Sequence, residues 1–313
     1  MIKRFKITDN RIVSVETGTP DIFVVIGANE DEKKWFIENF NVDEHTFNSA
    51  FDPEEQARLE YEPKHLAVIF KRPKNYSSRD KFMFKVTSMG LFLFRDKLII
   101  AMSEDVNIFT GKYYKHISGL RELFLKVIYS SIIHFMEHLK VINMIADEIE
   151  TKITYSMENK YLLNMFTLEK SLVYYLNAIN SNETVIERLR SNPEKTGLSQ
   201  RSLEFVDDLM IENQQCYKQA EIYSNIFASL SGARASIVSN NLNILMKNLN
   251  AVVIAVAIPS FFAGVGGMLP SVLGDSSQFT PEIVVFAERK AGKRTMPSRT
   301  AANSFVFLFV INF

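Results

Sequence analysis

The sequence has a single cysteine, Cys216, so no disulfide can form within the chain and nothing calls for an oxidising compartment. Neither sign of charge is in excess: 36 basic residues balance 36 acidic ones, which leaves no global field to attract nucleic acid or an acidic partner. The N-terminus, MIKRFKITDNRIVSVE, is charged and has no apolar core, so it lacks the form of a signal peptide. Glycine and proline are missing from residues 120–192 and again from 198–231. Stretches that long without a breaker form long helices, well past the usual three or four turns. Charge is missing from residues 248–274, of which 251–273 (AVVIAVAIPSFFAGVGGMLPSVL) are almost wholly apolar. A helix needs about 20 apolar residues to cross a ~30 Å hydrocarbon core, so this run reads as a membrane helix. The competing reading is a helix buried inside a large soluble protein. Pro259 and the glycines fit either reading, since membrane helices tolerate both.

Residues 1 to about 115 have a different texture. Residues 6–14 read as a hairpin turning at Asp9 and Asn10. Residues 21–26 (DIFVVI), 65–70 (HLAVIF), 82–86, 89–94 and 98–102 are rich in β-branched and aromatic side chains, as strands are. Residues 29–39 and 43–59 have helical spacing, and Asp52-Pro53-Glu54-Glu55 has the form of a helix start. Strands interspersed with helices indicate an α/β domain.

In the last breaker-free stretch Leu203, Val206, Met210, Asn213, Tyr217 and Ala220 alternate three and four apart, the spacing of a coiled-coil seam. Only Gly232 interrupts the path from this seam to the apolar run. One helix over about 198–268 would be roughly 100 Å long at about 1.5 Å per residue. It would lead from a soluble domain into a bilayer. Several such helices around an axis make a stalk and a pore, so the architecture suggests a symmetric oligomer. Asn240, Asn241, Asn243, Asn248 and Asn250 precede the apolar run, and their neutral oxygens suit a hydrated pore mouth as well as they suit an interfacial helix turn.

Three segments, in order, carry a resemblance to the CorA family of magnesium channels. Residues 51–62 (FDPEEQARLEYE) resemble the helix-to-strand segment of that family's N-terminal domain. Residues 236–249 (SIVSNNLNILMKNL) resemble the end of its stalk helix, and 259–268 (PSFFAGVGGM) the approach to its Tyr-Gly-Met-Asn signature. The resemblance covers about residues 20–268. It implies an α+β fold: an N-terminal α/β cytosolic domain over 1–117, a long-helix stalk over 118–247, a first transmembrane helix over 248–273 and a tail over 274–313. It also implies a homopentameric channel in the cell membrane that carries Mg2+, with Co2+ and Ni2+ as further permeants, and whose partners are lipid, divalent cations and its own copies. By position Asn243, Met246, Leu249, Val253, Ala257, Ser260 and Gly264 would line the pore. Met246 and Leu249 would form a constriction that gates by dewetting, and Gly267 and Met268 would carry what remains of the selectivity signature. Mg2+ would also be the closing signal, held between subunits by Asp208, with Asp207 as a substitute and Asp80 as the N-terminal partner. Such an ion keeps most of its waters and needs only one or two carboxylates.

The chain departs from that pattern at its end. Leu269 stands where the signature has asparagine, and Gly266 replaces an aromatic residue. Leucine offers no donor or acceptor to a hydrated ion. The family's second membrane helix has no counterpart: residues 279–287 and 304–313 are each too short, and the basic stretch 288–299 (ERKAGKRTMPSR) between them is unsuited to a bilayer core. Sequence beyond Met268 is therefore expected to be foreign to the family, through truncation or an altered reading frame.

Other readings stay open. A related channel could carry Zn2+ instead, or the chain could be a soluble or monotopic regulatory protein. His134-Phe135-Met136-Glu137-His138 matches the H-x-x-E-H order of inverted zinc peptidases, whose two histidines sit one helical turn apart, although no third ligand is recognisable.

Overall fold

The computed structural model describes residues 1–77, 80, 82–155 and 159–268. The chain divides into two compact units, Met1–Gly232 and Ala233–Phe313. The first is built on a seven-stranded sheet in the order β2-β1-β3-β7-β6-β5-β4. Its strands are β1 (Ile2–Thr8), β2 (Arg11–Ser14), β3 (Ile22–Ile26), β4 (Arg58–Tyr61), β5 (His65–Pro73), β6 (Val86–Phe94) and β7 (Leu98–Met102). β3 and β7 run parallel, and the other described pairs are antiparallel. The expected hairpin is present: Asp9 and Asn10 both take positive φ, 50° and 59°, as a two-residue turn between twisted strands requires.

Alternation along the strands sends side chains to two cores. Phe23, Val25, Ala67, Ile69, Phe92, Ile99 and Ala101 face α1 (Glu30–Phe40) and α2 (Glu44–Ser49), where they meet Phe36, Phe47 and Ala50. Ile22, Val24, Leu66, Val68, Phe70 and Ile100 face the other way, against α3 (Leu120–Tyr155) and α4 (Asn159–Ser191). Covered on both faces, β3 and β7 are buried along their whole length, which is why they are continuous apolar runs. After α4 come the single turn α5 (Pro193–Thr196) and then α6 (Gln200–Met268), the long helix that the breaker-free stretches predict.

Two local expectations are corrected. Residues 43–59 are not one helix: α2 ends at Ser49, and Asp52 turns its carboxylate onto the Glu54 N–H instead of starting a new helix. The chain then enters β4, whose Arg58 meets Glu55 and Glu60 at 2.8 and 2.7 Å. Residues 82–86 are not a separate strand, since Phe82 has φ of 66° and the Phe84 N–H is taken by the Ser171 hydroxyl. Only Val86 of that segment joins a strand, β6.

The seam spacing of α6 is satisfied inside the chain. Val206, Leu209, Cys216, Ala220 and Phe227 are buried in the core shared with α3 and α4, with Leu203, Met210 and Tyr217 packed beside them. Asn213, 1 % exposed at a seam position, donates its Nδ2 to the Ile179 carbonyl of α4 at 3.1 Å.

Candidate functional site

Asp208 is exposed on α6 and lines a groove of about 410 Å3 with Lys112, Tyr113, Lys126, Tyr129, Phe205, Ile211 and Glu212. Helical spacing explains the acidic wall, because Asp208 and Glu212 lie one turn apart on the same face. Two of the three rings of the aromatic wall come from elsewhere in the chain. Tyr113 follows Lys112 in a 3-10 turn (Lys112–Tyr114), Tyr129 projects from α3, and Phe205 lies one turn before Asp208. Tyr113 and Tyr129 meet edge to face at 5.1 Å, and Tyr129 tilts against Phe205 at 5.7 Å. Burial, then the neighbouring Tyr113 and the charges of Glu212 and Asp208, push the Tyr129 hydroxyl up to about 12, so it stays a neutral donor.

The other two acidic candidates are engaged. Asp207 forms an ion pair with Arg190 of α4. Asp80 accepts from the Ser77 N–H at 2.8 Å and the Ser77 hydroxyl at 2.7 Å, and these bonds hold its carboxyl below the usual carboxylate range. Among the described residues no three His, Cys, Asp or Glu side chains gather as a metal-ligating group. A divalent ion at Asp208 would therefore complete its shell with water or with a second copy of the chain.

Of the His134/Glu137/His138 motif, only the histidines are taken up in packing, with their rings 4.4 Å apart. His138 is buried, its Nδ1 lies 2.6 Å from the Tyr175 hydroxyl of α4, and its ring stacks on that tyrosine. Burial with the nearby Arg72 charge pushes His134 down to about 4; burial, His134 and Arg72 push His138 down to about 3. Glu137 is exposed, one residue from buried His138, and so projects away from it.

In the second unit, Leu242–Gly264 is the one span among the described residues long and apolar enough to cross a membrane, and none of it is buried. Asn243, Met246, Leu249, Val253, Ala257, Ser260 and Gly264 are all exposed there, and their three- and four-residue spacing puts them on one helix face. The Ser260 hydroxyl donates to the Val256 carbonyl at 2.8 Å, which leaves its oxygen free to accept from water. Gly267 and Met268 end α6. Leu269 and the tail segments 279–287, 288–299 and 304–313 lie outside the described residues.

Sequence reasoning missed Glu212 and the aromatic wall. The acidic pair was readable as Asp208-x-x-x-Glu212, whereas Tyr113 and Tyr129 have no sequence relation to Asp208 and meet it only through the fold.

The described residues thus form a two-faced sheet domain, a bundle of long helices and one exposed apolar helix. Residues 20–269 match the profile of the CorA-like Mg2+ transporter protein family, and the chain belongs to that family. Among solved structures, the complete CorA magnesium transporter of Methanocaldococcus jannaschii is similar at TM-score 0.69 and 14 % identity, over 99 % of this chain and 93 % of that one. The ZntB cytoplasmic domain of Vibrio parahaemolyticus is similar at TM-score 0.59 and 14 % identity, over 76 % of this chain and 98 % of that one. The full-length CmaX protein is similar at TM-score 0.67 and 11 % identity, over 99 % of this chain and 94 % of that one. At such identities the likeness is one of fold. No curated protein matches the sequence as a relative.

Proposed function

We propose that this chain forms a homopentameric channel that passes hydrated Mg2+, and also Co2+ and Ni2+, across the cell membrane, with residues 1–247 in the cytoplasm. The observation that carries the reading is the exposed apolar span Leu242–Gly264 in a chain of this family. Five copies would bring the face bearing Asn243, Met246, Leu249, Val253, Ala257, Ser260 and Gly264 around a common axis. Asn243 would meet the hydration shell of the ion through its amide. Met246 and Leu249 would narrow the path with side chains that hold no water, so a small widening would wet and open it. Gly267 and Met268 would form the outer end, with backbone carbonyls where the asparagine amide is lacking.

Regulation falls to Asp208. An exposed carboxylate with a second carboxylate one turn away fits a hydrated Mg2+, which binds through its waters and one or two acidic groups. With Asp80 of a neighbouring copy opposite, or Asp207 as substitute, loss of the ion would leave like charges facing one another and loosen the interface. The division into 1–117, 118–247, 248–273 and 274–313 is part of this proposal. Zn2+ is the alternative ion for the same channel.

The test is the full-length chain in liposomes that contain a Mg2+-sensitive dye, together with its melting temperature in detergent. Mg2+ entry, and a Mg2+-dependent rise in melting temperature that Asp208→Ala removes, are expected. Zn2+ entry without Mg2+ entry would select the alternative. No flux of either ion would sink the channel reading.

A further inference from the structure

The groove beside Asp208 contains more than a hydrated magnesium ion can use. Mg2+ holds its waters tightly and takes oxygen ligands, so three aromatic rings contribute little to its binding. An alkylammonium group is the complementary guest, because it hydrates more weakly and is drawn to ring faces and to carboxylates. Tyr113, Tyr129 and Phe205 supply the rings, and Asp208 and Glu212 supply the charge. The groove already receives one such group, since the Lys112 ammonium lies 5.3 Å from the centre of the Tyr113 ring. Lys112 is an exposed side chain with no ion pair among the described residues, so little holds it in place. The second lysine of the lining is committed elsewhere: Lys126 pairs with Glu122 at 2.7 Å and donates to the His116 carbonyl at 2.7 Å.

We propose that this groove is a binding site for a small aliphatic diamine, with Lys112 as the internal cation that the ligand displaces. The two carboxylates are one helical turn apart, about 6 Å between their Cβ atoms. A four-carbon diamine has its ammonium groups at a comparable separation, so one can meet each acid while the methylene chain lies along Tyr129, Phe205 and Ile211. The site shares Asp208 with the Mg2+ reading and does not depend on transport, so amine and Mg2+ would compete.

The experiment titrates the full-length protein in detergent with diaminobutane by calorimetry, with Mg2+ in parallel. Saturable binding is expected, weakened by Mg2+. Tyr129→Leu and Phe205→Leu should each weaken the amine about tenfold, the size of a partly desolvated cation–π contact, and leave the Mg2+ response intact. Lys112→Ala, at an exposed position that places no demand on folding, should tighten the amine. Asp208→Asn should weaken both ligands. Absence of saturable amine binding would overturn the proposal. So would amine binding that is lost with Asp208→Asn yet indifferent to Tyr129→Leu, Phe205→Leu and Lys112→Ala, because that is ionic screening alone. A Mg2+ response that fails while amine binding follows the expected pattern would count against the regulatory reading only.

Discussion

Asn182 of α4 meets the backbone of Lys71 on β5 with both ends of its side chain: its Oδ1 accepts the Lys71 N–H at 2.8 Å and its Nδ2 donates to the Lys71 carbonyl at 2.9 Å. β5 runs beyond β4, whose last pairing in that direction is Arg58 with Ile69. The amide thus supplies the bonds that a neighbouring strand would otherwise make. Asn182 is fully buried, so no water can replace it. Asn182→Leu should cost about 2–4 kcal/mol, from two orphaned backbone groups at about 1–3 kcal/mol each with partial relaxation. Urea unfolding of the protein truncated after Gly232 measures this once that fragment is shown to unfold cooperatively; a loss under 1 kcal/mol would mean that the bonds are dispensable.

Acid should loosen the joint between the sheet and the helices. His134 and His138 titrate at about 4 and about 3 when folded, below the ordinary 6.5, because burial disfavours their charged forms. Their neutral forms are thus favoured by folding. Stability from this source is complete above about pH 6.5 and falls as the unfolded chain takes up protons below it, down to the folded values. His65 adds in the same direction, since burial lowers it and neither ring nitrogen has a hydrogen-bond partner. Melting temperature should therefore fall between pH 6.5 and 4. His134→Gln should flatten that fall; an unchanged slope would exclude His134 as a source.

Gly90 lets α2 approach the sheet. A Cβ built there would lie 2.6 Å from the Ala50 Cβ and 2.9 Å from the Phe92 ring. Both neighbours are buried, so neither can simply turn away. Gly90→Ala should destabilise by about 1–3 kcal/mol, the usual range for overpacking. Adding Ala50→Gly should restore part of the loss in a double-mutant cycle, and strict additivity would disprove the contact.

The constriction reading gives a prediction of opposite sign. Leu249→Asn would wet the proposed gate, so Mg2+ flux into liposomes should rise, most of all when Mg2+ on the side of the Asp208 domain would otherwise hold the channel closed. Ala255, also exposed and two residues from both Val253 and Ala257, lies on the opposite side of the helix and is the control: Ala255→Asn should not raise flux.

The parts of the fold that were legible in sequence are those set by local chemistry. The Asp9-Asn10 turn shows because few residue pairs tolerate two positive φ values in succession. β3, β5 and β7 show as apolar runs because they are covered on both faces. β4 did not show: Arg-Leu-Glu-Tyr is a polar tetrapeptide whose extended form comes from pairing with β5. Asp52-Pro53-Glu54-Glu55 has the composition of a helix start, and short-range bonds turn it into a loop: Asp52 accepts the Glu54 N–H, while Glu55 accepts the Ser49 hydroxyl and pairs with Arg58. The α6 seam was legible as a 3–4 rhythm, but rhythm alone does not say which helix fills it. Asp208 was reachable through the family resemblance, whereas the rings around it were assembled from three separate places in the chain.

Asn213 limits how the helices of the first unit can move. Its buried amide reaches the Ile179 carbonyl in the contact between α6 and α4, which the exposed Asp207–Arg190 ion pair also bridges. Sliding α6 along α4 by part of a turn, short of the about 5.4 Å that would bring up the next turn's carbonyl, would leave that amide buried and unpaired. The contact would then act as a detent, resisting translation more than rotation about its own position. Any rearrangement in this bundle should be a pivot at Asn213 with the register kept. Distance measurements between spin labels on α4 and α6 would then change in opposite senses on the two sides of that residue.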